Sequence, residues 1–252
     1  MIKSVNCFIP YIDKAQIELT VKNLKESPLV GEIYLLAADA KVEKLEGFQI
    51  VTISSINSTD SIKKIAALSN SAYSLIYTKE STLIMGMFAV ERMVKLAEDS
   101  GASMAYADHY QVVGDVRKSA PVITYQMGSL RDDFNFGSVM LYKSEVLKEA
   151  VSQMDVEYKY AGLYDLRLRA SRLGSLEHIN ELLYTEVESD TRKSGEKIFD
   201  YVDPKNRAVQ IEMEEACSAH LKEIGGYLYP TFKKIEFSKD NFEYEASVII
   251  PV

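Results

Sequence analysis

The chain reads as an α/β protein whose mainly parallel sheet is covered by helices. Two observations carry that expectation. Short apolar runs alternate with amphipathic segments through the first two thirds of the 252 residues, and Pro or Gly punctuates the joints between them. Ser4 to Pro10 is the opening strand, an apolar run stopped by a residue without an N–H to donate. Asp13 caps a helix to about Glu26, with Ile17, Val21 and Leu24 on one face, closed by Pro28 and Gly31. Glu32–Leu36 and Phe48–Ile53 are buried strands. Ser61–Ala67 is a helix capped from Thr59-Asp60, and Tyr73–Tyr77 a fourth strand. A helix over Met87–Asp99 ends before Gly101, and Ala102–Tyr106 is a fifth strand. Asn135–Tyr142 predicts another strand, Ser144–Ser152 a helix, Leu163–Leu173 a helix ending at Gly174, and Leu182–Val187 the last strand. Glu188–Glu196 is polar, a linker or loop, and Asp203-Pro204 opens a long helix to Ile224 before Gly225-Gly226. Its apolar stripe of Val209, Met213, Ala216, Cys217, Leu221 and Ile224 predicts packing on the same chain.

The end of the chain repeats its beginning. Ala246-Ser247-Val248-Ile249-Ile250-Pro251-Val252 matches Ser4 to Tyr11 as an apolar run closed by Ile-Pro. Coincidence is one reading; the other is the opening strand of a second unit in a tandem protein. The expected division is a domain over 1–187, a loop and helical extension over 188–245, and an opening strand over 246–252.

Composition narrows the function. A net charge of −8 argues against a general nucleic-acid partner, which needs clustered Lys and Arg. No apolar run approaches the roughly 20 residues of a membrane span, and Met1-Ile2-Lys3 runs into a strand without a signal-peptide core. Cys7 and Cys217 lie far apart and read as free thiols. The expected address is the cytoplasm, with a peripheral position at the inner membrane face as the alternative. Phosphate loop, dinucleotide fingerprint, His-Glu-x-x-His and nucleophile elbow are all missing.

The Val-Ile-Ile-Pro strand, the Asp-Leu-x-x-Arg frame at Asp165-Leu166-Arg167-Leu168-Arg169 and the order of elements to about residue 185 resemble the family 2 glycosyltransferases. That resemblance implies the GT-A fold, use of a UDP- or GDP-linked sugar, a glycan or lipid-linked acceptor, inverting chemistry and a place in polysaccharide biosynthesis. It also implies where to look for the site. Pro10 and Tyr11 would close the first strand at the nucleotide. Asp39, after the second strand, would bind uracil or ribose, or is a solvated turn residue. The fourth strand should run into Asp-x-Asp holding Mn²⁺ or Mg²⁺, but this chain has Thr78-Lys79-Glu80. Glu80 keeps one metal ligand; either Lys79 takes over part of the metal's work at the diphosphate, or this unit handles no metal–diphosphate complex.

The Glu-Asp pair that supplies the catalytic base is replaced by Gly162-Leu163, which leaves Asp165 as the carboxylate in the frame. Asp165 is either the base or a helix-orienting residue beside a paired Arg169. Asp108, in Tyr106-Ala107-Asp108-His109-Tyr110, falls on the acceptor side. Asp132, in Arg131-Asp132-Asp133-Phe134-Asn135, is placed to grip sugar hydroxyls or to shape a turn. Asp190 to Gly195 lies where relatives carry a lid. Two functions follow: a glycosyltransferase, or a non-catalytic module of the same fold that partners a second glycosyltransferase domain in the same chain and is inactive alone.

Overall fold

The computed structural model describes residues 3–11, 13–38, 48–188, 207–234 and 248–249. Its strands are β1 (Val5–Pro10), β2 (Val30–Ala37), β3 (Gln49–Thr52), β4 (Tyr73–Tyr77), β5 (Thr82–Met85), β6 (Met104–Val113), β7 (Val116–Ala120), β8 (Val139–Lys143) and β9 (Leu176–Glu188). The helices are α1 (Lys14–Leu24), α2 (Thr59–Leu68), α3 (Ala89–Ser100), α4 (Ser144–Ser152), α5 (Gly162–Leu173) and α6 (Arg207–Glu223). One sheet runs in the order β3-β2-β1-β4-β8-β6-β9-β5, with β7 also paired to β6. β1 lies in the sheet interior, parallel to β2 and β4.

β1 to β4, β6 and β9 run one way, so the sheet is mostly parallel as expected. β8 is antiparallel to both of its neighbours, β4 and β6. β5 and β7 are two strands that the sequence reading did not separate out; both are short and antiparallel at the rim. β6 is twice the expected length because its two halves have different partners: Met104–Tyr106 pair with β8 and His109–Val113 with β7.

Period-two alternation splits the core into two layers. Val5, Cys7 and Ile9 of β1 face α1 and α3, with Leu35, Leu75 and Leu141. Phe8 faces the other way with Tyr34, Ile76 and Tyr142, under α2, α4 and α5. Burial pushes the Cys7 thiol up to about 12, so it packs as an inert apolar group.

Local chemistry fixes the helix ends. The Asp13 carboxylate accepts from Gln16 N at 2.9 Å, as its position predicts. For α2 the cap is Ser58, one residue before the expected pair, accepting from Ser61 N at 3.2 Å. α3 starts at Ala89 because Phe88 holds a left-handed conformation, φ 59°. α4 and the end of α5 fall where the pattern placed them.

α6 packs on α5 through Ala216, Met213 and Cys217 against Tyr158, Tyr164 and Leu168, the intramolecular packing its stripe predicts. Asp203 and Pro204 lie outside the described residues, as do Asp39, the segment from Asp190 to Gly195, and most of the repeated phrase; Val248 and Ile249 are exposed. The Glu212 carboxylate accepts from the backbone N–H groups of Tyr160 (2.6 Å) and Ala161 (3.2 Å). It thereby holds the backbone entering α5, whose N-cap, Ala161, has no capping side chain.

His220 of α6 is buried beside Arg172 (3.1 Å), and burial with the Arg172 and Arg167 charges lowers its pKa to about 4. A neutral His220 therefore stabilises the fold above its unfolded value of about 6.5, and that contribution is lost as pH falls from there through about 4. Melting temperature is expected to drop more steeply between pH 6.5 and 4 for the native chain than for His220→Gln. Parallel profiles would remove this role.

Candidate functional site

The strands running in the common direction deliver their carboxyl ends to one rim, where open α/β sheets place ligands. Pro10 is buried at the end of β1, paired with Leu36, and Tyr11 N donates to the Leu36 carbonyl at 2.8 Å. β4 ends at Tyr77, whose hydroxyl meets Ser81 Oγ at 2.5 Å. Thr78 N donates to the Ser138 carbonyl at 2.9 Å, which ties the end of β4 to the entry of β8.

Lys79 is partly exposed and its Nζ lies 2.5 Å from Glu186 Oε2. Glu186 is fully buried on β9, with the Gln111 amide 3.5 Å from the same oxygen. His109 Nε2 stands 3.4 Å from Glu186 Oε1, and the His109 ring stacks on Tyr184 at 4.9 Å. Burial first, and then the Lys79 charge, hold the His109 pKa below its ordinary value against the raising effect of Glu186. The Tyr184 hydroxyl oxygen accepts from Ser138 N at 2.8 Å, and Gly137 (φ 71°) turns the chain where a Cβ would overlap that hydroxyl.

A second polar group starts at the adjacent residue of β6, whose side chain points to the opposite face. Asp108 is buried; its Oδ1 accepts from Val122 N (2.8 Å) and meets His178 Nε2 (2.8 Å), while His178 Nδ1 meets Thr124 Oγ1 at 3.0 Å. Asp108 thus fastens the segment after β7. Asp132 is exposed in the loop before β8, next to the Arg131–Asp133 pair (2.6 Å). Arg167 holds that loop from α5: it donates to the carbonyls of Ser129 (2.9 Å) and Arg131 (2.8 Å), lies over the Phe136 and Tyr164 rings, and is itself buried. The Tyr164 hydroxyl donates to the Leu130 carbonyl.

Asp165 is buried in the first turn of α5, and both of its oxygens accept from Arg169 Nε at 2.9 Å. Burial is the largest influence and raises the Asp165 pKa; Arg169 and Arg172 oppose it. The structure thus brings Pro10, Tyr11 and Lys79 to one rim, pairs Asp165 with Arg169, and leaves Asp132 and Glu80 exposed.

Mn²⁺ or Mg²⁺ needs several hard oxygen ligands. Glu80 is exposed with Lys79 beside it in sequence, and no group of three His, Cys, Asp or Glu among the described residues is gathered to hold a metal.

Sequence reasoning missed Glu186, Tyr184 and Arg167. One signal was present: Tyr184 and Glu186 share the inward face of β9, so a charge sat where the alternation demands an apolar residue. His109 stands in the sequence only as the residue after Asp108. The partners that line its ring, Glu186 and Tyr184, lie more than 70 residues away in the chain.

No protein-family model matches the chain, and no curated protein matches it. Solved structures do. TarS 1-349 from S. aureus in complex with UDP superposes at a TM-score of 0.60, with 9% identity over 86% of this chain and 65% of that one. The complex of TarS 1-349 with UDP-GlcNAc gives 0.57, with 12% identity over 86% and 66%. At such identity the likeness shows the fold: this is a GT-A-like, nucleotide-diphospho-sugar transferase-like fold. The bifunctional IspDF from Campylobacter jejuni matches at 0.45, with 12% identity over 76% of this chain and 52% of that one. The chain therefore spans between about half and two thirds of the length of these structures. No helix among the described residues is long and apolar enough to cross a membrane.

Proposed function

We propose that the chain is a family 2-like glycosyltransferase unit that moves a sugar from a UDP- or GDP-linked donor to a glycan or lipid-linked acceptor, with inversion. The observation that carries this reading is the cation at the end of β4. Lys79 follows β4 at the rim where open α/β sheets take their ligands, and its ammonium is paired with a buried carboxylate. A lysine there offsets the charge that develops on a leaving diphosphate without a metal ion. Pro10 and Tyr11 would border the nucleotide, and Asp132 would accept a hydrogen bond from an acceptor hydroxyl. Asp165 carries a pKa shifted upward, the direction a general base needs, but must exchange its Arg169 partner to reach an acceptor.

That pairing supports a second reading: a non-catalytic module of the same fold, partnering a catalytic domain in a longer chain. Both readings expect nucleotide-sugar binding, with affinity changed little by Mn²⁺. Calorimetry with UDP- and GDP-linked sugars, with and without Mn²⁺, measures it; tight binding that strictly requires the metal would overturn the lysine-based site.

Asp165→Asn separates the two readings. Stability is expected to fall by about 2 kcal/mol, because the amide pairs poorly with a half-buried guanidinium, while nucleotide affinity stays unchanged. A transfer rate reduced about 100-fold or more assigns Asp165 the role of base. Measured in the full-length protein, an unchanged rate removes Asp165 from the catalytic role and favours the module reading.

A further inference from the structure

Lys79 is not a free cation. Its ammonium is 2.5 Å from Glu186, a carboxylate with no solvent exposure that also lies against Gln111 and His109. The two partners differ in freedom. Glu186 is locked in β9 between β5 and β6, whereas Lys79 is on the short turn after β4 with 41% of its side chain exposed. A carboxylate and a phosphate oxygen present the same acceptor chemistry to an ammonium.

We propose that Glu186 is a resident anion that occupies Lys79 in the unliganded protein, so that a nucleoside diphosphate group binds at the end of β4 by displacing a buried carboxylate. This rests on the reading that nucleotide sugars bind at this rim. Withdrawing Lys79 leaves Glu186 buried beside Gln111 and His109, and a buried carboxylate without a cation is costly. The relief is at hand: His109 Nε2 is 3.4 Å away, and its pKa is held down in part by Lys79 itself. Removing that cation favours a proton on His109, beside the Glu186 carboxylate. The groups facing His109 are Glu186 and Tyr184 from β9, Lys79 from the turn after β4, Asp108 on its own strand and the Gly137 turn. Donor binding thus exchanges one cation for another against Glu186: the ammonium leaves for the diphosphate and a proton replaces it.

The test compares the native chain, Glu186→Gln and the double variant Glu186→Gln/Lys79→Gln, each titrated with UDP and with inorganic pyrophosphate. If Glu186 competes for Lys79, Glu186→Gln binds both about 10-fold tighter than the native chain, and the double variant loses that gain. Equal or weaker binding by Glu186→Gln overturns the proposal while leaving nucleotide binding at the rim intact. A double variant as tight as Glu186→Gln also overturns it, because the gain would then come from general charge and not from Lys79. No binding by any of the three overturns both the proposal and the function it rests on.

If Glu186→Gln does not fold, the native chain supplies the readout. UDP-GlcNAc, whose diphosphate is a diester without ionisation near neutral pH, is titrated at pH 7.5 in two buffers of different ionisation heat. Net proton uptake on binding is expected; no exchange, or proton release, overturns the exchange of cations.

Discussion

Gly162→Ala is expected to cost about 3 kcal/mol and to lower the melting temperature by about 6–12 °C. A Cβ at that position would lie 2.9 Å from the Asn57 carbonyl oxygen and 2.5 Å from the Ser58 carbonyl carbon, and closer still to Thr59 N. All three are backbone atoms, so no rotamer change relieves the overlap. The backbones that would have to part are hydrogen-bonded to each other: Gly162 N donates to Asn57 O at 2.7 Å and Thr59 N to Tyr158 O at 2.9 Å. The Thr59 hydroxyl adds a third link by accepting from Tyr158 N at 3.0 Å. A useful comparison is Gly101→Ala. Gly101 holds a left-handed φ of 68° that strains an alanine, but a Cβ there would meet nothing within 4 Å, so the cost is about 1 kcal/mol. Thermal unfolding of the two variants checks the ranking, and equal losses would refute the close-approach argument.

Arg167→Met is the second large effect, expected at about 3 kcal/mol. Methionine keeps much of the stem's packing but removes donors to the carbonyls of Ser129 and Arg131 and the cation over Phe136 and Tyr164. Those carbonyls lie at the entry to the segment that carries Asp132. The expected signature is regional as well as global: amide exchange speeds most between residues 122 and 138. Uniform acceleration along the chain would make Arg167 an ordinary core contact. Lys at the same position should rescue little, because one ammonium cannot span two carbonyls in fork geometry.

These two residues also mark where the sequence was and was not legible. Alternation of apolar runs and helices gave β1, β2, β4 and α4 at or near their observed ends, since each is fixed by its own residues and by local caps such as Asp13. β7 was invisible because Val-Arg-Lys-Ser-Ala carries little apolar signal, and β5 because its apolar Thr-Leu-Ile-Met run is only four residues long. The reversed direction of β8 is a property of its partners and leaves no local mark. At the site the same division holds. Lys79 and Asp165 were found by their place in a pattern, and the Asp165–Arg169 pairing was readable from their i, i+4 spacing. Glu186, His109 and Arg167 act through contacts between residues distant in the chain, and a single sequence does not record those.

The position of Glu212 changes how the chain can be cut. A break anywhere between β9 and α6 would separate the strands from a helix that looks like an appendage in sequence. Yet the carboxylate that holds the backbone leading into α5 arrives from beyond that break. A polypeptide ending at residue 188 would keep every strand and still lose the acceptor for Tyr160 and Ala161. The damage would surface next to Gly162 and Asp165, some fifty residues upstream of Glu212. α6 is thus a clasp closed over the helix that carries Asp165, and the covalent chain divides where the folded unit does not.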